Sequence, residues 1–450
     1  MDGYKDYIIK IKDQINKVSP SLCLAKWDQT TIYLQTGETH SCYHPPPHQI
    51  SLEEIKDNPS ALHNTCIKKQ ERRDMLEGKQ PEGCQYCWNI EALGDEYISD
   101  RHIKSAIAYK QPSLLTDIVA NGADYNINPA SVEISFGNEC QMSCLYCHPK
   151  ASSSYHKEIE QHGAYPTLSH DCRIDYLNIN KEEDNPYVKA WWEWYPELSK
   201  TLRILRITGG EPLLHQSLWR LLDFLDANPN PELELMVNSN LSVKPVLVDR
   251  LIDKVSYLLA NNKIKSFMVF TSLDTWGPRA EYIRNGLDLK VWERNFHAIL
   301  KSLPSVPVSL MITYNIMSVS SFKSLLAKII EWRQQYNDTS GDRIRFDTPY
   351  LKEPMIFDMN LLPKNEYIKY QVDCLQYMSD NNFSVIEFEK FKRVAQYMAS
   401  TVYSKEVLSF SRKEFYTWIT ENDRRKSKNF LETFPEMTDF FMECKNYAAA

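Results

Sequence analysis

Between residues 131 and 347 the chain alternates short apolar, β-branched runs with stretches of helical period. No other feature restricts its fold as strongly. The strand candidates are Val132–Phe136, Leu202–Thr208, Leu233–Asn238, Ser266–Leu273, Val306–Tyr314 and Arg343–Asp347. Amphipathic helix patterns lie between them at about 215–227, 243–260, 288–302 and 320–337. Strands that alternate with helices pair in parallel, because each crossover helix returns the chain to the same end of the sheet. With right-handed crossovers, six such units form an open sheet or a curved partial barrel. Ligands in these folds sit at the carboxyl ends of the strands.

The cysteines say what sits there. There are eleven, an odd number, and no secretion signal opens the chain, which argues against a disulfide framework. Five fall into two tight groups, Cys84-Gln-Tyr-Cys87 and Cys140-Gln-Met-Ser-Cys144-Leu-Tyr-Cys147. Clustered thiolates in a reducing compartment hold metal. A lone CxxC reads equally as a zinc knuckle or a redox pair. The triplet is more specific: a closed 4Fe–4S cluster takes four thiolates, so three leave one iron open to a ligand. The only adjacent glycine pair, in a chain with 13 glycines, is Gly209-Gly210 within Thr208-Gly-Gly-Glu-Pro212. It ends the strand that follows the cysteine loop, so both motifs face one mouth. Glycine lets backbone approach closely, and the carboxylate beside it can hold an ammonium group.

The flanks differ from this core. Residues 21–50 read as a β-hairpin that turns at Thr36-Gly37 and returns to Cys42. Ser51-Leu-Glu-Glu54 reads as a capping box, and a second helix spans about Ala61 to Leu76, stopped by Gly78 and Pro81. Cys66 on that helix is read as buried filler. Between Cys147 and Leu202 we expect a first helix plus an insertion, with Trp191-Trp192-Glu-Trp194-Tyr195 serving packing. From Asn360 onward the chain is helical, and the run Asp423-Arg-Arg-Lys reads as a solvated face. A net charge of −7 disfavours nucleic acid as a partner, and no apolar run is long enough for a membrane span, so a cytoplasmic protein is expected.

The two central motifs resemble those of the radical SAM superfamily. Cys140, Cys144 and Cys147, with Tyr146 as the aromatic residue before the third thiol, match its CxxxCxΦC loop, and Gly209-Gly210-Glu211-Pro212 matches its GGEP motif. The resemblance covers about residues 130–350 and implies a partial (β/α)6 TIM-like barrel. It implies that the three thiolates bind a 4Fe–4S cluster chelated by S-adenosylmethionine (SAM). Glu211 and the glycine backbone would hold the methionine ammonium, the Tyr146 backbone would meet the adenine, and Asn238-Ser239-Asn240 would read the ribose. Ser272-Leu-Asp274 and Tyr282-Ile-Arg284-Asn-Gly286 resemble a stretch of the peptide-modifying branch. By that likeness Ser272 and Arg284 contact cofactor or substrate, and Asp274 is the catalytic candidate.

The amino-terminal unit resembles the Twitch or SPASM auxiliary-cluster domain, through Cys23-Leu-Ala-Lys-Trp27, Gly37…Cys42, Arg72…Gly78, Pro81 and Cys84-Gln-Tyr-Cys87. Cys23, Cys42, Cys84 and Cys87 would then close an auxiliary 4Fe–4S cluster. The implied organisation is a small cysteine-rich α+β domain over 1–120, the radical SAM core over 121–360 and a helical extension over 361–450. The implied reaction splits SAM reductively, with an electron from a flavodoxin or ferredoxin. The resulting 5′-deoxyadenosyl radical abstracts a substrate hydrogen, from a peptide or protein side chain or alternatively from a small molecule or sugar. A zinc-stapled, non-catalytic binding protein is the reading from a different class.

Overall fold

The structure, a computed structural model, describes residues 2–174, 184–336 and 343–449. It is a mixed α/β fold around a nine-stranded, largely parallel sheet. The strands among the described residues are β1 (Gln29–Tyr33), β2 (Glu38–His40), β3 (His48–Gln49), β4 (Ser131–Ser135), β5 (Ser143–Cys144), β6 (Ile204–Thr208), β7 (Asn230–Ser239), β8 (Ile264–Ser272), β9 (Arg284–Asn285), β10 (Val308–Met311) and β11 (Ile344–Asp347). The sheet order is β11-β10-β8-β7-β6-β4-β1-β2-β3, so the six expected core strands are neighbours in chain order. The remaining two, β5 and β9, form a separate small ladder. All four expected intervening helices are present, at Gln216–Ala227, Pro245–Ala260, Leu289–Ser302 and Phe322–Tyr336.

Period-two alternation sorts each strand into two faces. Ile134, Leu205, Ile207, Leu235, Val237, Phe267, Val269 and Leu310 are buried under the helices. The opposite face carries Arg206, Met268, Phe270, Ser309, Met311 and Arg345 around a cavity of about 1080 Å³. The aromatic run of the helix Pro186–Leu198 serves packing, as expected: Trp191, Trp194 and Tyr195 are all buried. Residues 175–183, part of the expected insertion, lie outside the described residues.

The amino-terminal hairpin forms where expected, β1 against β2 in antiparallel register. The structure adds a pairing that pattern alone does not reveal. β1 also lies parallel to β4, Ile32 opposite Ile134, so the cysteine-rich segment extends the central sheet. Ser51 caps the helix Leu52–Asp57 by accepting from the Glu54 amide. The Glu54 carboxylate reaches Cys66 N at 2.9 Å instead of closing the box. The second helix starts late, at Cys66, because Thr65 caps it after a 3-10 turn over Pro59–Leu62. At that first position Cys66 points outward and is exposed, which corrects its reading as buried filler. No helix among the described residues is long and apolar enough to cross a membrane.

The run Asp423-Arg-Arg-Lys is a second correction. It ends the helix Lys405–Lys426, and most of it faces the protein. The Arg425 side chain is 1% exposed and pairs with Glu421, while Lys426 pairs with the buried Glu158. A helix whose last turn packs against the cysteine loop buries what an isolated helix would leave in water.

Candidate active site and auxiliary cysteine site

The triplet loop leaves the carboxyl end of β4 and is tied at both sides. Cys140 N donates to Ser153 Oγ (3.1 Å), Ser153 N to Asn138 O (2.7 Å) and Ser152 Oγ to Met142 O. Cys144 lies on β5, paired antiparallel with Arg284 of β9, and Leu145 N continues the ladder to Ile283 O (3.0 Å). The Cys147 amide then closes a turn onto Cys144 O (2.9 Å). Burial pushes all three thiols up, Cys140 to about 12, and neighbouring thiolates add to the shift at Cys140 and Cys147. The three half-buried thiols are soft donors on one short loop, the ligand type of an iron–sulfur centre, although no three ligands among the described residues surround a single metal-ion position.

The glycine pair is pressed against this loop. A Cβ on Gly210 would fall 2.4 Å from Glu139 O and 2.7 Å from Asn138 C, both backbone atoms. Gly209, at φ +110°, would meet Ser135 Oγ and Gly137 O. The missing side chains thus let the ends of β4 and β6 touch. Glu211 is fully buried and caps the turn Pro212–Leu214, with Pro212 as its first residue. Its carboxylate accepts from Leu213 N (3.1 Å), Ser239 Oγ (2.8 Å) and Asn240 N (2.6 Å). It therefore joins the carboxyl ends of β6 and β7. A carboxylate has about four acceptor positions, so one remains. Burial raises the Glu211 pKa to about 7 against these bonds.

Of the other expected residues, Asn240, Asp274 and Arg284 lie beside the loop. Asn240 Nδ2 reaches Cys140 Sγ at 3.8 Å and Gln141 Oε1 at 3.4 Å, whereas Asn238 accepts from Arg206 Nε (3.0 Å). Asp274, also fully buried, accepts from Tyr146 OH (2.7 Å), Arg284 Nη2 (2.8 Å) and Thr313 N (2.9 Å). Arg284 Nη1 in turn lies 4.0 Å from Cys144 Sγ. Asp274 thus anchors the arginine and tyrosine that flank the thiols. Ser272 ends β8 on the Phe270 side of the sheet.

Cys23, Cys42, Cys84 and Cys87 converge on one cavity, together with Lys26, His44, Asp100, Arg101 and Lys104. Burial pushes Cys84 up to about 12 and Cys87 to about 11. Lys26 and Arg101, each with a side chain 2% exposed, bring positive charge to the cavity wall, paired with Glu71 and Glu91. Among the described residues, no group of three or more His, Cys, Asp or Glu surrounds a single metal-ion position. The four thiols line one small cavity of about 20 Å³, so it is their soft donor chemistry, and not the size of the cavity, that fits a metal centre.

The two cysteine groups lie at opposite ends of the sheet. Cys23 precedes β1 and Cys42 follows its antiparallel partner β2, so both sit at the amino ends of the parallel strands. At roughly 3.3 Å per residue, the five residues of β4 alone span roughly 15 Å. Between the two ends, Tyr43 OH donates to Glu133 Oε2 (2.8 Å), which lies 3.4 Å from Arg206. Sequence reasoning missed Lys26, Tyr43, Glu133 and Arg206. A signal existed for Lys26, a cation inside the otherwise apolar stretch Leu22–Trp27.

No protein-family model matches the chain, and no curated protein matches it significantly. Among solved structures it is similar to Streptococcus suis SuiB bound to the precursor peptide SuiA, at 14% identity over 79% of this chain and 70% of that one, TM-score 0.37. It is also similar to SuiB bound to S-adenosylmethionine, at 12% identity over 78% and 69%, TM-score 0.37. At these scores neither likeness bears on fold or activity.

Proposed function

We propose that the chain is a radical SAM enzyme that modifies a peptide or protein side chain, with an auxiliary iron–sulfur centre at Cys23, Cys42, Cys84 and Cys87. The observation that carries this function is the contact between two segments about 70 residues apart in sequence, Gly137-Asn138-Glu139 just before the cysteine triplet and Gly209-Gly210-Glu211, at the carboxyl ends of adjacent parallel strands. Cys140, Cys144 and Cys147 would hold a 4Fe–4S cluster, and the glycine backbone and the last acceptor position of Glu211 would hold the SAM ammonium. When bound, that pair supplies a 5′-deoxyadenosyl radical for hydrogen abstraction. Arg284, fixed by Asp274, holds positive charge beside Cys144, and the strand ends around it exclude water. A peptide is favoured over a small molecule because Ser272-Leu-Asp274 and Tyr282-Ile-Arg284-Asn-Gly286 resemble a stretch of the peptide-modifying branch. The protein should be incubated anaerobically with SAM and a reductant, with and without candidate peptides. Formation of 5′-deoxyadenosine is expected, and its absence from iron-replete protein would refute the activity.

A further inference from the structure

The carboxyl-terminal extension reaches the triplet loop at one rung of the small ladder. We propose that the end of the helix Lys405–Lys426 and the residues after it clamp that loop, with Lys428 as a positioning residue that sets positive charge beside the site. This inference rests on the proposed function. On the rung Ser143↔Asn285 the extension grips both strands. Lys426 Nζ donates to Ser143 Oγ (2.9 Å), and Lys428 Nζ donates to Asn285 Oδ1 (2.7 Å). Asn285 Nδ2 donates to Asn422 Oδ1 (2.9 Å). Asn285, Asn422 and Ser143 are all buried, so water does not compete for these bonds. The next rung is Cys144↔Arg284, which carries a thiol of the triplet.

The charge on Lys428 is the second observation. Its hydrogen bonds go to neutral oxygens, Asn285 Oδ1 and the Glu281 carbonyl (2.6 Å). Burial, with Lys426 nearby, pushes its pKa down to about 8, while Glu281, Asp423 and Cys144 pull the other way. A partly buried cation held by neutral acceptors is better compensated once Cys144, one rung from its partner Asn285, carries negative charge. Tyr282 OH, bonded to Asp423 Oδ1 (2.6 Å), fixes the same segment from the other side. The extension, with no role assigned from sequence, is thereby part of the support of the site.

The test uses the full chain, reconstituted anaerobically. Spectroscopic redox titration follows the cluster whose signal changes on adding SAM. Lys428→Gln keeps a hydrogen-bond donor and removes the charge. It should make reduction harder, lowering the reduced-to-oxidised ratio at fixed potential by up to tenfold, about 59 mV for one electron. Lys428→Arg should restore the wild-type ratio. Asn422→Ala and Lys426→Gln should speed iron release to a chelator severalfold from that cluster alone. Wild-type potential in Lys428→Gln overturns the charge role, as does failure of Lys428→Arg to restore it. Unchanged iron release in both other variants overturns the clamp, and these remain decisive if Lys428→Gln does not fold. Wild-type protein without a SAM-responsive cluster instead overturns the parent function.

Discussion

Glu211 is the residue at which burial and charge conflict most directly. Its carboxyl pKa is raised to about 7 from the ordinary 4.5, chiefly by burial. Folding therefore takes up a proton between those values. This group's contribution to stability falls as pH rises from 4.5 to 7 and is flat above. Glu211→Gln removes that titration, so thermal unfolding at pH 5 and at pH 8 should show wild type losing up to roughly 3 kcal/mol relative to the variant. A difference independent of pH would show that the carboxylate is already charged at pH 5. Glu211→Ala is harsher, because it strands Ser239 Oγ and two backbone amides. It should weaken SAM binding, measured by calorimetry, and cost roughly 2–4 kcal/mol. Asp274, the catalytic candidate by resemblance of Ser272-Leu-Asp274 to a family stretch, accepts three hydrogen bonds and anchors Tyr146 and Arg284.

At the scale of elements, the decisive joint is between the end of β6 and the triplet loop. Gly210 lies so close to Glu139 and Asn138 that one added methyl must displace backbone. Gly210→Ala should destabilise the fold by about 1–3 kcal/mol and loosen the loop. Iron counted after reconstitution and desalting should drop at the triplet while the amino-terminal cysteines keep theirs. Full iron retention in the variant would show that the loop can shift at no cost. On the other side, Gly286 follows β9 at φ +95° and approaches Gln141 O, so the loop is held between two glycines. The Gly209-Gly210 pair was legible as a motif. That its missing side chains make room for the loop itself was not, because contact between segments 70 residues apart has no signature in either one.

Over the whole molecule, two thiol groups sit at opposite ends of one sheet. Each 4Fe–4S centre carries about four irons, so the reconstituted chain should hold about eight. Replacing Cys140, Cys144 and Cys147 together by Ala should leave about four and abolish SAM cleavage. Replacement of Cys66, Cys172, Cys374 or Cys444 should leave the count unchanged. Zinc in place of iron in the triple variant would make the amino-terminal site a zinc staple. Local pattern determined the βα alternation, the six core strands, the cysteine triplet and the glycine pair, because period, breakers and spacing are properties of short segments. Tertiary structure alone decided that β1 joins the core sheet beside β4, that Cys23, Cys42, Cys84 and Cys87 meet at the end opposite the triplet, and that Lys426 and Lys428 turn inward. Those outcomes depend on which surfaces bury one another, and burial is shared between segments far apart in the chain.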